Sequence, residues 1–231
     1  MRKAKENHPS TGTVRRVIHA FCLPLALAWC ISVPAQAQDL PGTSPEAVQE
    51  TINKCLLELA SPEVDARRRA ILVLGKYADP RARQAVARTL SDDDAGLRLS
   101  ALVAINERFT ADMAPRVLDM VADPDVHVRR MASSLLPQLL MQVRMMADPR
   151  GFTGGMPALS AAQLKVVVGA LSDTDATVRK NALVAFPGLR MSLPPDLLIP
   201  LLRDPDVEVR LQALNAALSA FEAADLAEHA G

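Results

Sequence analysis

SDTDATVRKNALVAF (residues 172–186) and RDPDVEVRLQALNAAL (residues 203–218) are two copies of one repeating unit. Offset by 31 residues, they agree at both acids, at the Val-Arg pair and at the alanine three residues after the arginine. The same frame recurs upstream and gives the series Arg67, Arg98, Arg129, Arg179 and Arg210, followed by Ala70, Ala101, Ala132, Ala182 and Ala213. The separations are 31, 31, 50 and 31 residues, so the long gap is one period plus 19. A fixed period of this size marks one supersecondary unit stacked on copies of itself.

Each unit opens on a paired turn, at Ser61/Glu63, Asp92/Asp94, Asp123/Asp125, Asp173/Asp175 and Asp204/Asp206, with Pro62, Pro124 and Pro205 between the members in three copies. Proline ends the preceding helix, and the second acid can cap the next one and favour the positive end of its dipole. Apolar residues then recur at helical spacing: Leu97, Ala101, Leu102 and Ile105 in one unit, Val207, Leu211, Leu214 and Leu218 in the last. Each set predicts the buried stripe of an amphipathic helix A of about four turns. A helix B precedes the next acid pair. Its starts are Asp79-Pro80, Thr110 and Ser160, with Ser160 and Gln163 at capping-box spacing. Its core positions are Val86/Leu90, Val117/Val121, Val167/Leu171 and Leu198/Leu202. Ser44-Pro45-Glu46 begins a lone helix with Val48, Ile52, Cys55, Leu56 and Leu59 on one face, a lid for the first unit. No stretch alternates with a period of two.

The two opening stretches resemble HEAT repeats in their acid-x-acid turn and Val-Arg-x-x-Ala start. The period is shorter than that of the longer HEAT and armadillo types, roughly 40–47 residues. It is similar to the short HEAT-like repeats of phycobilisome (bilin) lyases and many bacterial proteins. The resemblance covers about residues 44–222 and implies an all-α superhelix of about five units with an N-terminal half-repeat. Residues 223–231 would form a tail or cap. The family serves many ends, so the resemblance implies the architecture rather than a reaction.

The first 37 residues read as a leader. Arg2, Lys3, Lys5, Arg15 and Arg16 precede the apolar run 20–33, and Ala35-Gln36-Ala37 is a signal-peptidase site, predicting cleavage after Ala37 and a linker over 38–43. A retained anchor is the alternative, but the run is short of the roughly 20 residues needed to span a bilayer. Leu27-Ala28-Trp29-Cys30 faintly resembles a lipoprotein box, and Arg15-Arg16 a twin-arginine signal, from which Val14 and His19 depart. The expected location is the periplasm or the outside of the cell. Cleavage removes Cys22 and Cys30 and leaves Cys55 alone, placed by its stripe in the core. It also removes five of 26 basic and one of 26 acidic residues, leaving 21 against 25, a net charge of −4. That balance gives no footprint for nucleic acid or for anionic lipid.

The arginine series invites a catalytic reading, but a site rarely needs five identical copies. The expectation is a ladder of charge-assisted hydrogen bonds between units, built from the five arginines with Asp94, Asp125, Asp175 and Asp206. Beyond the leader the histidines are His127 and His229, and His127 occupies a variable, solvent-facing position. No zinc or haem spacing, Ser-His-Asp set or glycine-rich phosphate loop is present. HEAT-like deoxyhypusine hydroxylases bind iron through His-Glu dipeptides, and this chain has none. No cofactor is expected. Met141, Met145, Met146 and Met156 fall in or beside the insertion, roughly 141–159, where adaptable packing competes with Cu(I) binding by thioethers.

Recognition is expected at two places. One is the insertion, whose Gly- and Pro-rich run 148–157 carries Phe152 and Met156. The other is the concave side, which helix B normally lines. Its residues change from Arg81, Gln84 and Arg88, through Asp112, Arg116 and Asp119, to Lys165, Val166 and Gly169 and then Leu197 and Pro200. An apolar strip beside polar rims suits a protein or peptide ligand. The expected function is an exported, monomeric protein-interaction scaffold without catalysis. The alternative, implied by the bilin-lyase resemblance, is a lyase-like enzyme or accessory that handles a tetrapyrrole. The scarcity of aromatics speaks against that, Tyr77 being the one tyrosine.

Overall fold

The computed structural model describes residues 44–147, 159–189 and 193–228. The expected leader, linker and signal-peptidase site lie outside these residues, as does most of the insertion, Phe152 and Met156 included.

Among the described residues there are ten α-helices and no strands. They are α1 (Pro45–Glu58), α2 (Val64–Leu74), α3 (Pro80–Thr89), α4 (Ala95–Glu107), α5 (Ala114–Asp119), α6 (Val126–Ala147), α7 (Ala161–Ala170), α8 (Ala176–Ala185), α9 (Pro195–Leu202) and α10 (Val207–Glu228). The even-numbered helices are the A helices and each packs on the next A helix; the odd-numbered ones form the B layer. This is the all-α solenoid that the period predicts.

The turn chemistry explains why each helix starts where it does. The second acid is the N-cap: Asp94 accepts from Leu97 N–H at 2.8 Å, Asp125 from His127 and Val128, Asp175 from Thr177 and Val178, and Asp206 from Val209. The first member folds its side chain onto the backbone N–H two residues on, in Asp92, Asp123, Asp173 and Asp204, and Ser61 does the same with its hydroxyl. Asp79 caps α3 with Pro80 inside its first turn, and Ser160 with Gln163 forms the capping box of α7. Thr110 departs from its expected role. The chain there makes a 3₁₀ turn, Ala111–Met113, before α5, and the Thr110 hydroxyl is buried with no hydrogen-bond partner.

The alanine three residues after each arginine is at most 1 % exposed in all five units, because a side chain ending at Cβ lets the helices close on one another. Ile71, Leu74, Leu102, Ile105, Leu136, Leu139 and Leu140 fill the space between layers. A helices approach tightly at Gly75, where an added Cβ would lie 2.6 Å from the Ala104 Cβ. The insertion leaves this stacking undisturbed, since α6 packs on α8 as other neighbours do.

Two expected core sets differ in the last unit. In α9 the buried residue is Leu201, while Leu198 and Leu202 are half-buried. In α10 the expected stripe is turned outward: Val207, Leu211, Leu214 and Leu218 are 63, 48, 48 and 53 % exposed. The helix buries its other side through Val209 and Ala213. Amphipathic spacing locates a stripe but cannot say that a neighbour exists to cover it. Two expected boundaries fall inside helices: α6 runs past 141, the expected start of the insertion, to Ala147, and α10 runs past 222, the expected end of the solenoid, to Glu228.

Candidate functional site

The repeated arginines do two things at once. In all five units Nη1 donates to two carbonyls of the unit's own turn, for example Asp92 O at 2.8 Å and Asp93 O at 3.0 Å from Arg98. In three units the other edge of the guanidinium grips the following unit with two bonds: Arg98 to Asp123, Arg129 to Asp173 and Arg179 to Asp204. The carboxylate is therefore the first acid of the pair. Asp94, Asp125, Asp175 and Asp206, expected in the ladder, are caps instead, because an acid at the helix start points at its own N–H groups. Of these four, Asp175 also takes an inter-unit bond, from Arg130 at 2.6 Å. Arg67 and Arg210 make the carbonyl half of the arrangement but have no carboxylate among the described residues. The Arg179 guanidinium beside Asp204 holds that carboxyl below the usual carboxylate range, and the Arg130 hydrogen bond does the same to Asp175.

The face made by the B helices is where charge stands without a structural partner. A cleft of about 500 Å³ opens between α3 and α5, lined by Pro80, Arg81, Arg83, Gln84, Arg88, Asp112 and Arg116 among others. Two residues expected in recognition, Arg88 and Arg116, thus come together. Arg81 is tied down by Asp79, Asn53 and Gln49. Arg116 reaches across the cleft to the Ala87 carbonyl at 2.9 Å with one nitrogen. Neither Arg88 nor Arg116 has a carboxylate partner among the described residues. Arg83 was not anticipated. It lies half-buried at the cleft wall with its Nε lacking a hydrogen-bond partner. The arginine density of PRARQAVAR, residues 80–88, was the available signal.

The apolar end of the expected groove is different. Val166 and Leu197 are half-buried and packed against the core, so they are poor candidates for an open strip. Leu197 does line a smaller cleft of about 260 Å³ with Asp196, Pro200 and the Arg179–Asp204 pair. Gly169 stands exposed, with nothing within 4 Å of where a Cβ would be. His127 is exposed. Cys55 is buried, and burial pushes its thiol pKa up, the mark of an unreactive core cysteine. Among the described residues no helix is long and apolar enough to cross a membrane, and no group of three or more His, Cys, Asp or Glu side chains is placed to hold a metal.

The family model for HEAT repeats matches residues 52–136, which contain Arg67, Arg98 and Arg129. No curated protein sequence matches the chain. Among solved structures, Escherichia coli YibA aligns at 15 % identity over 73 % of this chain and 59 % of that one, with a TM-score of 0.54. A designed armadillo repeat protein, solved in complex with the peptide (KR)4, aligns at 16 % over 76 % and 86 % with a TM-score of 0.49. The CpcE–CpcF complex of phycocyanin lyase from Nostoc sp. aligns at 21 % over 80 % and 79 % with a TM-score of 0.38. Of these three, YibA alone passes 0.5, and at that identity it shows the fold alone. The stacked A and B helices and the arginine-registered turns make the fold an all-α solenoid of HEAT-like repeats, and the HEAT-repeat match covers its residues 52–136.

Proposed function

We propose that the protein is an exported interaction scaffold whose B-helix face captures an acidic segment of a protein partner. The observation that carries this reading is the cleft between α3 and α5, where Arg83, Arg88 and Arg116 meet without carboxylate partners and Asp112 is the one lining acid. At three unit boundaries, those of Arg98, Arg129 and Arg179, the arginine has its carboxylate supplied by the next turn. Here Arg88 and Arg116 line an open cleft with no carboxylate among the described residues to meet them. A peptide carboxylate placed between Arg88 and Arg116 would form the bidentate bonds that the ladder forms internally. Such a basic patch on a chain that is acidic without its leader would steer an acidic partner to one place. Export rests on the leader-like residues 1–37, and the 141–159 insertion would extend the surface.

The test is fluorescence anisotropy with labelled octaglutamate and octalysine at two salt concentrations. Octaglutamate should bind more weakly as salt rises, and Arg88→Glu with Arg116→Glu should weaken it about tenfold or more. Equal binding of octalysine, or unchanged binding by the double variant, would refute the reading. A bilin absorbance titration in the same preparation tests the tetrapyrrole alternative.

A further inference from the structure

The outward stripe of α10 has a specific meaning in the repeat register. Leu214 occupies the position held by Ile71, Leu102, Ser133 and Leu183 in the earlier units, and those four are 0–2 % exposed. Leu214 is 48 % exposed. Leu218 occupies the position of Gly75, the point where α2 meets Ala104 of the next A helix. Leu211 occupies the position of Arg130, which bonds Asp175 of the next unit. Leu214 therefore stands where interior units are buried, and Leu211 and Leu218 flank it at positions that elsewhere range from buried Gly75 to exposed Asn106, Arg130 and Pro187. Among the described residues nothing covers these leucines, which are 48, 48 and 53 % exposed.

Arg210 completes the picture. Its Nη1 is fixed on Asp204 O and Pro205 O at 2.8 and 3.0 Å, as in every unit. In Arg98, Arg129 and Arg179 this anchoring aims Nε and Nη2 at the first acid of the following turn. On Arg210 the same edge has no carboxylate among the described residues. Next to the apolar stripe, then, lies a donor pair whose counterpart is a turn carboxylate in three of the four earlier units, Arg67 being the exception.

We propose that the α10 face, Val207, Leu211, Leu214 and Leu218 with Arg210, is a docking surface for a helical-repeat element of a partner polypeptide that offers a turn carboxylate to Arg210. A second copy joined head to tail does not fit. Its first unit has Ser61, a hydroxyl, where the carboxylate is required. This surface is independent of the arginine cleft, and Arg88→Glu with Arg116→Glu leaves it intact.

The experiment joins a second copy of residues 193–228 to the end of the full chain through a short Gly-Ser linker, as a repeat of known chemistry. If the face accepts a repeat, the fusion melts as one unit with Tm raised by about 5 °C or more. Replacing by Asn, in the appended copy alone, the aspartate equivalent to Asp204 should remove at least half of that rise. An unchanged Tm, or a rise indifferent to that substitution, overturns the proposal. Light scattering of the unfused chain from 5 to 200 μM, about the range in which weak association shows, tests the other occupant. Concentration-dependent dimers abolished by Leu211→Glu with Leu214→Glu would mean that a second copy covers the face, and would also overturn it.

Discussion

Asp123→Asn is the sharpest probe of how units hold together. The Asp123 Oδ2 accepts from Arg98 Nε at 2.8 Å, and its Oδ1 accepts from Arg98 Nη2 and from Asp125 N–H, each at 2.8 Å. The side chains of Arg98 and Asp123 are 11 and 3 % exposed. Asparagine can keep the Oδ1 bonds, but its NH₂ then meets the Arg98 Nε–H, donor against donor. It also leaves a nearly buried guanidinium without a counter-charge. Removing one partner of a buried pair costs about 3–5 kcal/mol. The low end, about 3 kcal/mol, applies here because Arg98 retains the Asp92 and Asp93 carbonyls. For a chain of this size that is a Tm loss of about 6–12 °C. Thermal melts by circular dichroism at 222 nm measure it, with Asp65→Asn as the control. Asp65 pairs with Arg68 at the surface, at 75 and 42 % exposure, where less than about 1 kcal/mol is at stake. Adding Arg98→Met to Asp123→Asn should recover part of the loss by removing the stranded charge. A Tm for Asp123→Asn within about 2 °C of the parent, a shift of under 1 kcal/mol, or no recovery in the double variant, would refute the reasoning.

Gly75 and Gly169 should respond in opposite directions when replaced by alanine. Gly169→Ala, on an open helix surface, should stabilise by about 0.5–1 kcal/mol through helix propensity. Gly75→Ala, driven into Ala104, should destabilise by about 1–3 kcal/mol, and urea melts of both variants decide the signs. The acid limb of stability should steepen below about pH 4. Asp204 and Asp175 have folded pKa values below their unfolded ones because Arg179 and Arg130 donate to them. Their contribution is complete above the unfolded value and is lost as pH falls through the folded one. Asp204→Asn should therefore flatten the fall in Tm between about pH 4 and 2, a range set by the ordinary carboxylate value; an identical slope would assign acid sensitivity elsewhere.

What the sequence made legible was whatever repeats. Period, helix type, caps and the small alanine at each crossing follow from side chains acting within one unit, so a pattern along the chain suffices to find them. The partner of each arginine was less legible. Both acids of a turn sit at fixed offsets, and only the fold shows that the second turns inward to cap its own helix while the first is left facing the preceding unit. Ser61 is the residue that could have revealed this. Among the described residues no A helix with its arginine precedes the first unit, and there the first acid is replaced by a hydroxyl that keeps the turn and carries no charge. The α10 stripe failed for the opposite reason, since Leu211, Leu214 and Leu218 have the spacing of a core stripe and read as one. Periodicity reports what a helix is built to bury. In a solenoid the last unit still carries that pattern, and whether it is buried depends on a neighbour that this helix cannot specify. The residues most worth testing for partners are thus those where the repeat rule is obeyed in sequence and left unsatisfied in space: Arg210 with its leucines at one end, and Arg83, Arg88 and Arg116 on the B face.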